Sequence, residues 1–292
     1  MRTEVEQAVA LLNDKRPDAM ERALSLLQQT VFAFSMRVCG HREDAEDTMQ
    51  DVLLKSVPHL PKFDNSKALV VWLYTVAKNQ CLMSRRRSKF APQHHLSLEE
   101  LMPDGPELAK LSAIGPDRAL LREEDGDTVR RAILKVPPQY RLILVLHDME
   151  ELDTAEVAKV TGLRPGTVRV RLHRARLFLR RELAKAASGG VPRQKASRKL
   201  PPSAECKRMF AALSDYLDEE LPANACDRIR EHMSDCGPCV AFLDNLQKTV
   251  QGLKRLPARK PDARVAAKIR KTLLPQLTAA LAQSSSRRTA AQ

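Results

Sequence analysis

The stretch that most constrains this chain runs from Asp153 to Glu182, DTAEVAKVTGLRPGTVRVRLHRARLFLRRE. Asp153 suits a helix N-cap, and Val157, Ala158 and Val160 supply the apolar positions of a short helix. Gly162 can take the positive φ that ends a helix, and the fixed φ of Pro165 suits the first turn of the next. The spacing therefore predicts a helix-turn-helix. In its second helix Val168, Leu172, Ala175 and Leu179 recur as one apolar stripe, so the other side chains are expected to face outwards.

Those outward side chains are mostly arginines. From Arg164 to Lys199 there are twelve Lys/Arg against one acidic residue, Glu182. A solvated helix interleaves signs for i,i+4 pairing, and this one does not, which favours contact with phosphates over a solvated basic face. In such motifs the start of the second helix reaches base edges. That nominates Arg164, Thr167, Arg169, Val170 and Arg171 for base contact, and Arg174 and Arg176 for the DNA backbone.

From Val136-Pro137-Pro138 to Leu183 the sequence resembles region 4 of the extracytoplasmic-function (ECF) sigma factors. The resemblance is carried by Glu156-Val157-Ala158, Gly166-Thr167-Val168 and Arg171-Leu172-His173-Arg174-Ala175-Arg176. It departs at Asp153 and Val170, where the family usually has Ser. Asp caps a helix as well as Ser does, whereas Val170 changes what the helix offers a promoter.

Length and composition agree with a multi-domain helical protein. At 292 residues two or three units are expected, and no long stretch alternates apolar and polar residues. The fold class expected is all-α. A formal charge of +13 favours a polyanionic partner. The longest apolar run, Ala68 to Tyr74, is far below the roughly 18 residues that span a bilayer, so no membrane partner is expected. Met1 to Ala10 carries Glu4 and Glu6 and lacks the apolar core of a leader peptide, which gives a cytoplasmic expectation. In that compartment the six cysteines are expected to be reduced or metal-bound.

Upstream, Gly40-His41-Arg42-Glu43-Asp44-Ala45-Glu46-Asp47 leads into an amphipathic helix. Asp44, Asp47 and Asp51 form an acidic ridge, with Ala45, Met49, Val52 and Leu53 on the opposite face. Periodicity alone makes this a solvated face. The stretch, however, resembles region 2.1 to 2.2 of ECF sigma factors, which implies that Asp44, Asp47, Gln50 and Asp51 face core RNA polymerase. Next come Phe63-Asp64, a short loop, Trp72-Leu73-Tyr74-Thr75-Val76-Ala77-Lys78-Asn79 and Arg85-Arg86-Arg87-Ser88-Lys89. Rings beside cations suit single-stranded nucleic acid, although a lone Trp in a helical domain is more often core. The pattern resembles region 2.3 to 2.4, which melts the −10 element. By that resemblance Asn79 faces an extruded base, and Arg85, Arg86, Arg87 and Lys89 hold phosphates.

Beyond a Gly/Pro-containing linker the charge reverses. From Ser203 to Gln247 there are nine Asp/Glu against four Lys/Arg, so an acidic module is tethered beside a basic one. Here Cys206, His232, Cys236 and Cys239 have metal-ligand spacing, His232 and Cys236 one helical turn apart and Gly237-Pro238 forming a knuckle. If the chain doubles back at Pro222, Cys206 joins them, and three thiolates with an imidazole suit tetrahedral Zn²⁺. Cys226 stands open as a buried residue, a replacement ligand or a redox-exchanging thiol. Cys39 and Cys81 are expected as isolated core residues. The segment resembles the zinc-binding anti-sigma domain, with Leu213-Ser214, Tyr216-Leu217-Asp218 and Glu220-Leu221 before the knuckle and Glu219 in place of the usual Gly.

The expected organisation is a region 2 domain at 1–90, a linker at 91–125, a helix-turn-helix domain at 126–185 and a linker at 186–203. A zinc-binding anti-sigma-like domain with C-terminal helices follows at 204–283, then a disordered tail at 284–292. In function this implies a non-enzymatic ECF sigma factor. It would bind core RNA polymerase and promoter DNA, with the zinc domain contacting the sigma regions intramolecularly and regulating them through metal or redox state. The alternative is a helix-turn-helix regulator with a purely structural zinc.

Overall fold

The computed structural model describes residues 2–14, 16–63, 65–86, 123–187 and 204–289, and all their regular structure is helical. The helices are α1 (Arg2–Asp14), α2 (Pro17–Cys39), α3 (Arg42–Ser56), α4 (Ser66–Arg86), α5 (Glu123–Lys135), α6 (Pro138–Leu144), α7 (Thr154–Thr161) and α8 (Pro165–Ala187). They continue as α9 (Ala204–Leu217), α10 (Ala223–Asp235), α11 (Gly237–Arg255) and α12 (Ala263–Thr289). A short 3₁₀ turn lies at Leu60–Lys62 and a π turn at Val145–Met149. The chain forms two compact units, one of residues 1–91, 150–163 and 258–292, the other of 92–149 and 164–257.

In the first unit α1 to α4 bury Leu24, Leu27, Phe32, Phe34, Met49, Leu53, Leu69, Leu73 and Tyr74. At roughly 1.5–3 kcal/mol per large side chain, this core outweighs any single polar contact in the unit. The acidic helix α3 turns Ala45, Met49, Val52 and Leu53 inwards, as its periodicity requires. α2 stops at Gly40, whose φ of 87° is open to glycine at little cost. Helix α12 lies on α2 through Ala266, Ile269, Leu273 and Leu277. There Gln28 donates to the Ala266 carbonyl at 3.0 Å, and Arg270 donates to Gln28 at 3.0 Å.

Two expectations are corrected in this unit. Cys39 and Cys81 are not isolated thiols. They sit on α2 and α4 with Cα atoms 6.0 Å apart, within disulfide reach, and are bonded to each other. Forty-two residues separate them, so neighbouring sequence carries no sign of the pairing. The tail at 284–292 was expected to be disordered, yet α12 runs through Pro275 and on to Thr289, and 290–292 lie outside the described residues. Its polar and small residues form no periodic apolar face, and that low apolar content had marked them as disordered.

The same unit holds Glu150–Leu163. Glu150 is fully buried, accepting from Arg37 Nη1 of α2 at 2.7 Å and from the Tyr74 hydroxyl of α4 at 2.6 Å. Burial raises its carboxyl above the ordinary range, while the Arg37 guanidinium opposes that rise. Lys78 of α4 donates to the Val160 carbonyl of α7 at 2.9 Å. A capping box starts α7, with the Asp153 carboxylate accepting from the Glu156 N–H at 2.8 Å and Glu156 accepting from the Asp153 N–H at 3.0 Å. Gly162, φ 74°, ends it.

In the second unit α5 and α6 pack against α8, which buries Val168, Leu172, Ala175 and Leu179. α9, α10 and α11 form a three-helix group around Phe210, Leu213, Ile229, Phe242 and Leu246.

Replacing Glu150 by Ala removes the buried carboxylate that accepts from both Arg37 and Tyr74. Urea unfolding of the full chain should show a loss of about 3 kcal/mol, and a loss under about 1 kcal/mol would show that the buried pair is not a support of the unit.

Candidate nucleic-acid interface and metal centre

Helix α8 presents three faces. The apolar stripe faces the core. A second face, Arg169, His173, Arg176, Leu177 and Arg180, is covered by α9 and α11. A third, Thr167, Val170, Arg171 and Arg174, stays partly or fully exposed, with Arg164 exposed just ahead of the helix.

The second face corrects the expectation that every side chain off the apolar stripe points outwards. Arg176 is 0% exposed. Its Nε and Nη2 donate to the two oxygens of Asp148 at 2.8 and 2.6 Å. Nη1 donates to Ser214 Oγ and Asp218 Oδ2, both at 2.7 Å, and Nη2 also donates to Asp218 Oδ1 at 2.7 Å. A guanidinium has five N–H donors, and all five are engaged. Arg176, expected on the DNA backbone, thus has no donor left for a phosphate in this arrangement. Burial alone would raise Asp148, but Arg176 overrides it and holds that carboxyl well below the ordinary range. His147 Nδ1 lies 2.9 Å from Asp148, so His147, Asp148 and Asp218 converge, but the guanidinium fills the space between the two carboxylates.

Around that pair the contact is largely apolar. Leu177 of α8 joins Phe210, Leu213, Ile229, Phe242 and Leu246 in one buried cluster. His173 meets the Phe210 ring edge-on at 5.5 Å, and the Arg180 guanidinium lies 5.2 Å over Phe242. Towards the start of α8, Arg169 faces Glu220 at 3.4 Å and Asp215 at 3.8 Å. These last pairs are long and partly exposed, so each contributes at most about 1 kcal/mol. Apolar burial and Arg176 hold the contact, and the Arg169 pairs orient it.

Asp148, Ser214, Asp215, Asp218 and Phe210 were not singled out as partners from sequence. The acidic excess of 203–247 was the available signal. Its Asp215 and Asp218 lie on or just beyond one end of α9, three residues apart, within reach of arginines seven residues apart on α8.

The four expected metal ligands come together. Cys206 Sγ lies 3.6 Å from His232 Nε2 and 3.8 Å from Cys236 Sγ, and His232 Nε2 lies 3.4 Å from Cys239 Sγ. All four donor atoms fall within 4.8 Å of one another. A tetrahedron with Zn–S of about 2.3 Å has S···S edges of roughly 3.8 Å, so the donor set fits Zn²⁺ in both chemistry and size. Burial and the neighbouring Cys236 and Cys206 thiols push the Cys239 thiol up, and a divalent cation supplies the charge that lets such crowded donors ionise. Cys206 opens α9, His232 closes α10 and Cys239 opens α11, so one ion would staple all three helices. Cys236 is not on a helix with His232 as expected. Its φ of −118° and ψ of 83° place it between α10 and α11, because Pro238 starts a new helix there. Cys226 lies outside the cluster, its sulfur 3.8 Å from the Leu221 carbonyl. Glu219 keeps the left-handed turn usual for Gly, with φ 58°.

The region 2 candidates are placed on α3 and α4. Asp47 and Gln50 are exposed, while Asp44 and Asp51 are half-buried, Asp51 accepting from Gln80 of α4. Asn79 is exposed. Trp72 is half-buried, its ring 5.3 Å from His59 and 5.8 Å from Phe63, so it is neither a core residue nor a free platform. Arg85 and Arg86 belong to the last turn of α4, and Arg87 and Lys89 lie outside the described residues.

Comparison with known proteins agrees with this architecture. Residues 24–90 match the family described as "Sigma-70 region 2", residues 127–179 match "Sigma-70, region 4", and residues 206–239 match "Putative zinc-finger". The RNA polymerase sigma-H factor of Pseudomonas aeruginosa is 30% identical over 53% of this chain and 83% of its own length. The ECF RNA polymerase sigma factor SigW of Bacillus subtilis is 28% identical over 57% and 89%. SigM of Mycobacterium tuberculosis, also an ECF sigma factor, is 31% identical over 50% and 68%. The chain belongs to the sigma-70 family of RNA polymerase sigma factors, in its ECF group. It is a non-catalytic transcription factor, and a zinc-binding motif is fused behind its region 4. Among the described residues no helix is long and apolar enough to cross a membrane.

Two outcomes are expected here. Cys236→Ala should lower bound zinc from one equivalent to none, as read by metal analysis, and reduce helical ellipticity, because α9 and α10 are of marginal length without a staple. Unchanged zinc content would remove Cys236 from the ligand set. The second concerns pH. Burial first, then Arg176 and Arg174, lowers His173 from 6.5 to about 4, and neither of its ring nitrogens has a partner. A pKa below its free value means that the contact favours neutral His173. That contribution is complete above about pH 6.5 and is lost as pH falls towards 4. Amide exchange in α9, corrected for its intrinsic rate, should quicken over that window, and His173→Leu should blunt the change.

Proposed function

We propose that the zinc helices restrain this sigma factor in cis. The observation that carries this reading is Arg176, whose five donors are divided between Asp148 and the Ser214–Asp218 edge of α9, with Arg169 turned towards Asp215 and Glu220. Two cations of the basic helix are thereby paired with carboxylates instead of phosphates. Helix α12, lying on α2, gives the same C-terminal segment a hold on region 2.

In the active form, Asp44, Asp47, Gln50 and Asp51 face core polymerase. Asn79 with Arg85, Arg86, Arg87 and Lys89 engages the opened promoter strand, and α8 engages duplex DNA through Arg164, Thr167, Arg169, Val170, Arg171 and Arg174. Because regulator and target share one chain, their encounter is intramolecular, at a local concentration on the order of millimolar, and restraint does not depend on protein concentration. Zn²⁺ held by Cys206, His232, Cys236 and Cys239 fixes α9, which carries Phe210 and Ser214 and leads directly into Asp218. Oxidation by a peroxide that joins Cys206 to Cys236, sulfurs 3.8 Å apart, removes two of the four donors as the peroxide is reduced to water. Loss of metal or ligands then loosens α9 from α8. Cys226, with its sulfur outside the cluster, is a reserve for thiol exchange once the site opens.

Run-off transcription with core polymerase tests this. A chain ending at Leu200 should be active at once, and the full chain should reach comparable activity only after a zinc chelator or peroxide is added. A full chain more active than the truncation, and silenced by either addition, would instead make the zinc helices a supporting part of the sigma factor.

A further inference from the structure

The third face of α8 carries a feature that charge does not explain. Val170 is 56% exposed, more than the other large exposed hydrophobic side chains among the described residues, Val240, Leu134 and Leu54. It lies between Arg169 and Arg171 in the first half of α8, on the face shared with Thr167 and Arg174. The approach is open, since a Cβ built on Gly166, one turn earlier, would meet nothing within 4 Å. The contact with α9 and α11 engages Arg169, His173, Arg176 and Arg180 and leaves Val170 exposed.

An exposed branched side chain ringed by arginines needs a partner that offers anionic walls and an apolar spot on its floor. The DNA major groove has both. Its walls are phosphates, and the only apolar group on its floor is the C5-methyl of thymine. Cytosine, guanine and adenine present donors or acceptors there, and Val can satisfy none of them. A Ser at the same position would be tolerant, because its hydroxyl both donates and accepts.

Resting on the DNA-binding reading above, we infer that Val170 is a specificity-determining residue that packs on a thymine methyl, so that the promoter element read by α8 carries a T·A pair opposite it. Arg164, Arg171 and Arg174 set the helix on the backbone, and Val170 excludes the other bases by leaving their polar edges unpaired.

The test selects bound sequences from a pool of short random duplexes, using the full chain released by a zinc chelator, alone and assembled with core polymerase, with Val170→Ser in parallel. Val170 is on the surface and touches no core, so the variant keeps its fold. Both proteins should enrich the same flanking bases, with thymine dominant at one position for the parent and not for Val170→Ser. Replacing that thymine by uracil, which lacks only the methyl, should weaken the parent about fourfold, the worth of one methyl withdrawn from water, and leave Val170→Ser unaffected. Equal responses of the two proteins to uracil, or a base other than thymine at that position, would overturn the assignment while leaving DNA reading by α8 intact. Failure of either protein to enrich any sequence, alone or with polymerase, would overturn the DNA reading too.

Discussion

A guanidinium buried away from water is tolerable only when its charge and all its donors are met, and Arg176 meets that condition with two carboxylates and a hydroxyl. Asp148 alone engages two donors. The other three go to Ser214 near the end of α9 and to Asp218 just beyond it, so the inner face of α8 is complete only when the zinc helices are in place. Without them a cation and three N–H groups would face either water or another anion. The same requirement explains why the contact is apolar around its centre: Phe210, Leu213 and Leu177 exclude the water that would otherwise compete for those donors.

The zinc cluster and the Arg176 pair lie at opposite ends of α9, and the helix transmits one to the other. Cys206 fixes its first turn and Ser214 sits near its last, with Asp218 just beyond. Fourteen residues are too few to hold a helix in water, so their order is borrowed from the metal ligands at one end and from the apolar cluster along one side. The left-handed Glu219 then turns the chain back towards Pro222 and α10, returning it to the ligands.

Much of this was legible in the sequence wherever the chemistry is local. The capping box of α7, the Gly162 stop and the Val168–Leu179 stripe depend on residues within a few positions of one another, and the four metal ligands declare themselves by donor type. Long-range pairing was not legible. Arg176 looks like any other arginine of a basic helix until Asp148 and Asp218, 28 and 42 residues away, are brought to it. Cys39 and Cys81 look solitary for the same reason, as does Glu150, whose partners lie on α2 and α4. Cys236 was assigned to the wrong local structure because a four-residue spacing reads as helical even when a proline two residues on restarts the chain.

Under the proposed restraint in cis, the continuity of the polypeptide from α8 to α9 also has a genetic consequence. A separate inhibitor must be synthesised in step with its target, and any fluctuation in the expression of two genes leaves one of them in excess. Here a single translation product contains the basic helix and the carboxylates that neutralise it in a ratio fixed at one to one. Copy number and promoter noise change how many molecules a cell holds, but not the fraction that carry their own counter-charge.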